Sequence, residues 1–179
     1  MHGIQRLLTP WVLRVAALGL GLLVLGAVAA VPAQAATATS SMSVSATVTA
    51  LCTIAAGPLA FGNYDATAAP PLDGTATLTV TCTILLPATI TLGQGSNPAT
   101  GSTDAVPLRR MKDTGSDFLS YFLYQETGRT TVWGNTAATG VALTGTGLPQ
   151  LITVFGRMPA SQNEPVGAYS DIVVATITF

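Results

Sequence analysis

Apolar and small polar side chains alternate strictly along several stretches of the chain, and each stretch predicts a β-strand. Successive side chains of a strand point to opposite faces, so a period of two places one set toward a core and the other toward solvent. The predicted inward sets are Met42, Val44, Ala46, Val48, Ala50 and Cys52, then Ala76, Leu78, Val80, Cys82 and Ile84, then Ala88, Ile90 and Leu92, and finally Val173, Ala175, Ile177 and Phe179.

Turn signals separate these stretches. They include Gly57-Pro58, Pro70-Pro71 and Asp73-Gly74, the last of which predicts a hairpin turn. Two further apolar runs, 119–124 and 151–155, read as buried strands, and no amphipathic helix follows residue 35. Many short strands with such punctuation predict an all-β, antiparallel sandwich or barrel.

The first 35 residues have the pattern of a secretory signal peptide. Arg6 and Arg14 precede an apolar run over 15–31, and Ala33-Gln34-Ala35 forms an A-x-A cleavage site. The alternative is a membrane anchor, because 15–33 is just long enough to span a bilayer. The Pro-containing end of the run and the A-x-A site favour cleavage after Ala35, which leaves an exported domain.

The two cysteines, Cys52 and Cys82, both follow this leader. Exported domains sit in an oxidising compartment, so two cysteines are expected to form one disulfide. A zinc site is not supported, because two thiolates do not complete a tetrahedral shell.

Charge and composition count against catalysis and against nucleic-acid binding. The single histidine, His2, lies in the leader, so Ser-His-Asp and Cys-His catalysis and histidine-based metal sites are excluded from the exported part. Five basic and eight acidic residues follow residue 35, a net charge of -3. Phosphate binding needs clustered cations, so no nucleic-acid partner is expected. No cofactor motif is present, and no catalytic, cofactor-binding or metal-binding residue is predicted.

Three weaker candidates each have a structural interpretation. Asp65, Asp73 and Asp171 could supply a carboxylate pair, but turn and strand-edge roles account for them. The cluster 109–112 could meet an anionic partner, or lie at a solvated strand end. Trp133 could stack on a sugar, or pack in the core at a turn.

A set of ordered motifs resembles the spore coat protein U family, which includes the subunits of archaic, Csu-type chaperone–usher pili. The likeness covers about 44–179, with Phe122 and Phe155 as conservative departures. The motifs that carry it are Cys52-Thr53-Ile54, Leu59 to Asp65, Leu78 to Thr83, Arg109-x-Met111, Tyr121-x-Leu123-Tyr124, Thr131 to Gly134, Val154 to Arg157 and Gly167 to Asp171.

The resemblance implies an incomplete immunoglobulin-like sandwich that lacks its final strand. In such a family a periplasmic chaperone fills the open groove, and at an outer-membrane usher the N-terminal arm of another subunit replaces the chaperone strand. The expected organisation is a signal peptide over 1–35, a donor-strand arm over 36–44 and a pilin domain over 45–179. The expected donor side chains are Ala38, Met42 and Val44. The expected groove residues are Val173, Ala175, Ile177 and Phe179.

Two features of the residues agree with that expectation. The alternation continues to Phe179, and residues 36–44 form an alternating arm without an obvious partner in the chain. A spare strand and a missing strand in one sequence favour head-to-tail assembly into open filaments. The family resemblance implies that such filaments lie at the cell surface and support adhesion or biofilm formation. The boundary between arm and first strand is left open by the unbroken alternation.

The competing hypothesis is a secreted monomeric sandwich that binds carbohydrate or a host surface through Trp133 and Tyr124. The two hypotheses differ in one observable property. A binding module is a stable monomer, whereas a pilus subunit without its chaperone polymerises or aggregates.

Overall fold

The structure is a computed structural model that describes residues 32–179. The chain divides into two units, Met1–Val44 and Ser45–Phe179. The described part of the first unit, 32–44, has exposed side chains and contains no helix or strand. Most of the predicted signal peptide, 1–31, lies outside the described residues.

The second unit is built from eight strands, β1 to β8, and one short 3-10 turn at Ala137–Thr139. The all-β prediction is confirmed, and the runs at 119–124 and 151–155 lie in β5 and β7. No helix in 32–179 is long and apolar enough to cross a membrane. The strands are β1 (Cys52–Ala56), β2 (Leu72–Cys82), β3 (Pro87–Leu92), β4 (Arg109–Lys112), β5 (Phe118–Tyr124), β6 (Val141–Thr144), β7 (Gln150–Met158) and β8 (Ala175–Thr178).

The strands form two antiparallel sheets with one core between them. The larger sheet has the order β1-β2-β7-β5-β4, and the smaller has the order β6-β3-β8. The alternation predicts this core well: Leu78, Val80 and Cys82 of β2 and Ile90 and Leu92 of β3 are buried. Burying each such large side chain contributes about 1.5–3 kcal/mol.

The strand predicted from Met42 onward begins only at Cys52; residues 32–51 are in no strand. The register explains the difference. Cys52 pairs with Cys82, the last residue of β2, so residues before Cys52 would have to pair with the turn at 83–86. Ile84 lies in that turn and is exposed, and its predicted inward orientation was wrong.

The predicted hairpin turn at Asp73-Gly74 was also wrong, because both residues lie inside β2. Asp73 stands opposite Arg157 of β7, whose Nε and Nη2 donate to the carboxylate at 2.7 and 2.9 Å. The hydrogen bond from Arg157 lowers the pKa of the Asp73 carboxyl. A dipeptide typical of turns is thus held in a strand by its cross-strand partner.

The predicted disulfide is confirmed: Cys52 and Cys82 are bonded and join β1 to β2. The bond closes a loop between residues 30 positions apart. Since β1 is an edge strand with a single strand neighbour, this link fixes it at the place where the chain enters the sandwich.

Replacing both cysteines by alanine is expected to lower the free energy of unfolding by about 3–4 kcal/mol, because the unfolded chain regains loop entropy. Urea unfolding of the purified subunit, followed by the fluorescence of Trp133, measures the loss. Two free thiols in periplasmic wild-type protein, found by intact mass, would contradict the disulfide.

Candidate functional site

A long groove opens between the two sheets, with a volume of ≈ 1080 Å³. It lies between two wall segments without regular secondary structure for most of their length. The first wall, 56–64, continues the chain from the end of β1, and the second, 162–175, leads into β8. The edge strands β1 and β8 approach each other, and the groove opens where the first wall leaves β1.

The groove floor is the hydrophobic core itself. Its seven side chains come from four strands, and all are buried although they line the opening. The floor residues are Leu78 of β2, Leu92 of β3, Leu119, Tyr121 and Leu123 of β5, and Val154 and Met158 of β7. An apolar floor of this kind suits the apolar side chains of an inserted segment.

The last strand offers a free edge to such a segment. β8 pairs with β3 on one side and is at the edge of its sheet. Just before β8, Ser170 exchanges two hydrogen bonds with Lys112 of β4, at 2.9 and 3.0 Å, so the same segment also meets the larger sheet. An unprotected edge is a place where another chain can add a strand.

The first wall is held close to the larger sheet by glycines. A Cβ at Gly156 of β7 would lie 2.8 Å from Leu59 Cδ1 and 2.9 Å from Phe61 Cζ. Phe61 also packs edge-on against Tyr121, with ring centroids 6.1 Å apart. Glycine on the sheet therefore lets the wall side chains reach the groove floor.

The second wall is fixed by the Gln162 side chain, whose amide hydrogen-bonds to the backbone of β5 as a neighbouring strand would. Gln162 accepts a hydrogen bond from Ser120 N at 2.6 Å and donates one to Ser120 O at 3.0 Å. The Tyr64 hydroxyl links the two walls, since it accepts from Gln162 N and donates to Pro159 O, both at 2.8 Å. The groove is thus held open by specific bonds in the described chain.

A polar cluster lies in the groove lining next to the second wall. The Tyr121 hydroxyl donates to Asp171 Oδ2 at 2.7 Å, and Ser96 N donates to Asp171 Oδ1 at 2.8 Å. Burial, together with the hydrogen bond to Asp171, raises the pKa of Tyr121, so the phenol stays protonated. Asp171, for which the sequence indicated a turn or strand-edge role, lies four residues before β8 and anchors the approach to that strand.

Replacing Tyr121 by phenylalanine is expected to cost about 1–3 kcal/mol, because it leaves a partly buried Asp171 oxygen without its donor. Thermal unfolding measures this loss. Tyr169→Phe is the matched control: the Tyr169 hydroxyl donates to Pro165 O in an exposed setting, so its removal is expected to cost less. Equal losses in the two variants would contradict a structural role for the Tyr121–Asp171 bond.

Arg109 is buried, contrary to the predicted solvated strand end. Its Nε donates to Gly93 O at 2.8 Å, and its Nη2 donates to Leu92 O at 2.7 Å and Trp133 O at 2.8 Å. Burial lowers its pKa to about 10, so it remains charged at neutral pH. Arg109 therefore ties β4 of the larger sheet to the end of β3 in the smaller one. Its burial could have been predicted from the sequence, because Arg109 and Met111 are two residues apart and so lie on the same face of the strand.

The four predicted groove residues occupy different positions. Val173 and Ala175 line the groove, and Ile177 packs against the core beneath β8. Phe179 is 53% exposed. Sequence reasoning missed the first wall and the part of the second wall before Val173, whose residues lack the alternation that marks the strands.

The three predicted donor residues, Ala38, Met42 and Val44, have exposed side chains, Met42 by 85% and Val44 by 84%. Large apolar side chains held in water at alternate positions are costly unless a partner covers them. Whether they fill a groove stays a prediction.

The residues proposed for sugar binding do not form a site. Trp133 is fully buried, and its indole Nε1 donates to Ile90 O at 2.9 Å, so the predicted core role of the indole is confirmed. Tyr124 lies half-buried on the outer face of β5 beside Phe122. No face of Trp133 is open to a ligand, which removes the main support for the carbohydrate-binding hypothesis.

Among residues 32–179, no group of three or more His, Cys, Asp or Glu side chains could hold a metal ion. The three aspartates considered for catalysis have separate roles. Asp65 accepts from Thr67 N and Thr67 Oγ1 in a turn, Asp73 pairs with Arg157, and Asp171 pairs with Tyr121.

Comparisons with known proteins agree on one family. Residues 38–176 match the model of the Spore Coat Protein U domain. Protein U of Myxococcus xanthus is 51% identical over 144 residues, which cover 75% of this chain and 80% of that protein.

The fold is also similar to that of a solved structure. A chain in the crystal structure of the CsuC-CsuE chaperone–tip adhesion subunit pre-assembly complex, from archaic chaperone-usher Csu pili of Acinetobacter baumannii, is similar to 74% of this chain, with a TM-score of 0.55 and 22% identity. The present chain spans 40% of the length of that chain. The likeness supports the predicted immunoglobulin-like sandwich.

Proposed function

Because the chain belongs to the spore coat protein U domain family, we propose that it is a structural subunit of a surface pilus, polymerised by donor-strand complementation after chaperone–usher secretion. The family is structural, and the chain is not an enzyme. In the proposed fibre each copy donates residues 36–44 to the groove of a neighbour. The domain that receives the strand is 45–179.

The groove beside the free edge of β8 carries this proposal. An inserted strand would pair its backbone with β8 and place alternate side chains on the apolar floor. Main-chain hydrogen bonds would supply affinity and the floor would select the side chains. The same strand would remove the exposed edge that favours aggregation.

The arm has the composition that such a groove needs. Ala38, Met42 and Val44 share one parity, and threonines and serines occupy the opposite positions of the arm. Met42 and Val44, once buried, would each contribute about 1.5–3 kcal/mol. The small Ser40 between them would make the weakest contact.

The proposed assembly requires three kinds of partner protein. A periplasmic chaperone would fill the groove until assembly, an outer-membrane usher would exchange the strands, and copies of this or related subunits would form the fibre. The structural neighbour is itself named as a complex between a chaperone and a pilus subunit. The proposed location is the cell surface, with a role in adhesion or biofilm formation.

Expression of the full chain with its chaperone and usher tests the proposal. We expect extracellular fibres by electron microscopy and ladders of subunits that resist heating in detergent. A stable secreted monomer that forms no fibres would contradict the proposal and favour the monomeric binding module.

A further inference from the structure

Four large apolar side chains are exposed together at one end of the sandwich. Leu51 precedes β1, Ile84 and Leu85 form the turn after β2, and Leu148 lies in the loop before β7. Their exposed fractions are 62%, 66%, 78% and 68%. We call these four residues the apolar cap.

Four hydrogen bonds, three of them between backbone groups, hold the three segments of the cap together. Thr83 N donates to Leu51 O at 2.9 Å, and Leu51 N donates to Thr83 Oγ1 at 3.1 Å. Leu85 N donates to Gly145 O at 2.7 Å, and Gly147 N donates to Cys82 O at 3.0 Å. The cap is therefore one built surface, not four unrelated exposed residues.

Leu85 adds a second indication that the cap is functional. Its φ is 62°, in the left-handed region that a bulky side chain rarely adopts. Glycine or asparagine would adopt this conformation at lower cost. Strained backbone that presents an apolar side chain to solvent is characteristic of binding surfaces.

The short segment between the arm and the cap limits how far the cap can lie from the copy that receives the arm. The chain leaves the cap at Leu51 and reaches Val44 seven residues earlier. A fully extended segment of that length spans at most about 25 Å. A neighbour whose groove holds residues 36–44 is therefore kept within that distance of the cap.

We propose that the apolar cap packs against the neighbouring copy that receives the arm, so that each junction of the fibre has a second contact beside the donated strand. This inference rests on the proposed function and adds a contact that donor-strand insertion alone does not require. Burial of the cap would make the junction stiff. An uncovered cap would leave neighbouring subunits joined by a flexible tether.

Side-chain labelling by hydroxyl radicals tests the inference on the full chain. We expect the cap residues to be labelled several-fold less in fibres than in the complex of the same chain with its chaperone. Val106, which is 57% exposed and outside the cap, is the internal control and should be labelled equally in both. Equal labelling of the cap in both samples would overturn the inference, and so would protection already present in the chaperone complex.

Two variants separate the cap from strand donation. Leu85→Asp is expected to form fibres that are visibly more bent in electron micrographs, whereas Val106→Asp fibres should match wild type. Leu85→Gly relieves the left-handed strain, so it keeps the fold while it removes the side chain, and its fibres should also bend. Straight fibres from both Leu85 variants would overturn the cap contact alone; absence of fibres from wild type would overturn the proposed function and the cap contact with it.

Discussion

Fibres are expected to be absent from cells whose only subunit carries Met42→Asp. Met42 is the largest apolar side chain of the arm and is 85% exposed in the single chain. In the proposed fibre it lies on the groove floor, where a carboxylate without a partner would cost far more than the lost contact area. The expected result is loss of the detergent-resistant ladder while the variant still co-purifies with chaperone.

Ser43→Asp is the matched control for this prediction. It introduces the same charge one position away, on the opposite face of an extended arm. That face would point away from the groove floor, so Ser43→Asp should still give fibres. Equal assembly by the two variants would contradict the proposed parity of the donor strand.

Replacing Arg109 by alanine is expected to lower the free energy of unfolding by about 3–5 kcal/mol, because several buried carbonyl groups lose a charged donor at once. The affected acceptors are Leu92 O, Gly93 O and Trp133 O. Trp133 is the only tryptophan after residue 35, so its fluorescence during urea unfolding reports on this region directly.

Two further variants make the Arg109 prediction specific. Arg109→Lys keeps the charge but not the planar fork, so an intermediate loss is expected. Arg110→Ala removes the neighbouring guanidinium, which donates to Asn97 O and Pro98 O and stacks on Phe118 at 4.0 Å. Its loss should be under about 1 kcal/mol, since the contacts are partly exposed. A comparable loss for both alanine variants would contradict a special role for Arg109.

The sequence predicted the strands in which apolar and polar side chains alternate, and it predicted the disulfide. Alternation places Leu78, Val80 and Cys82 on one face, and the structure buries all three. The disulfide followed from two cysteines in an exported chain. The first prediction succeeds because the period of a strand acts locally on each residue. The second succeeds because two cysteines in an oxidising compartment leave a single possible pairing.

The predictions that failed concern residues whose conformation depends on a distant part of the chain. Asp73-Gly74 has turn composition, yet its pairing with β7, where Arg157 stands opposite Asp73, holds it in a strand. Residues before Cys52 keep the alternation but lack a strand to pair with, because β2 ends at Cys82. The first wall and the start of the second could not be predicted, since Gln162 and Tyr64 hold them through contacts that no local pattern encodes.

The most direct test of the proposed assembly is electron microscopy of cells that make, with chaperone and usher, only a subunit whose exported chain begins at Ser45. This chain retains the groove and β8 but has no strand to donate, so it should bind the chaperone and form no fibres. Detergent gels of the same cells should show the monomer without a ladder. Normal fibres from this subunit would contradict donor-strand assembly through residues 36–44.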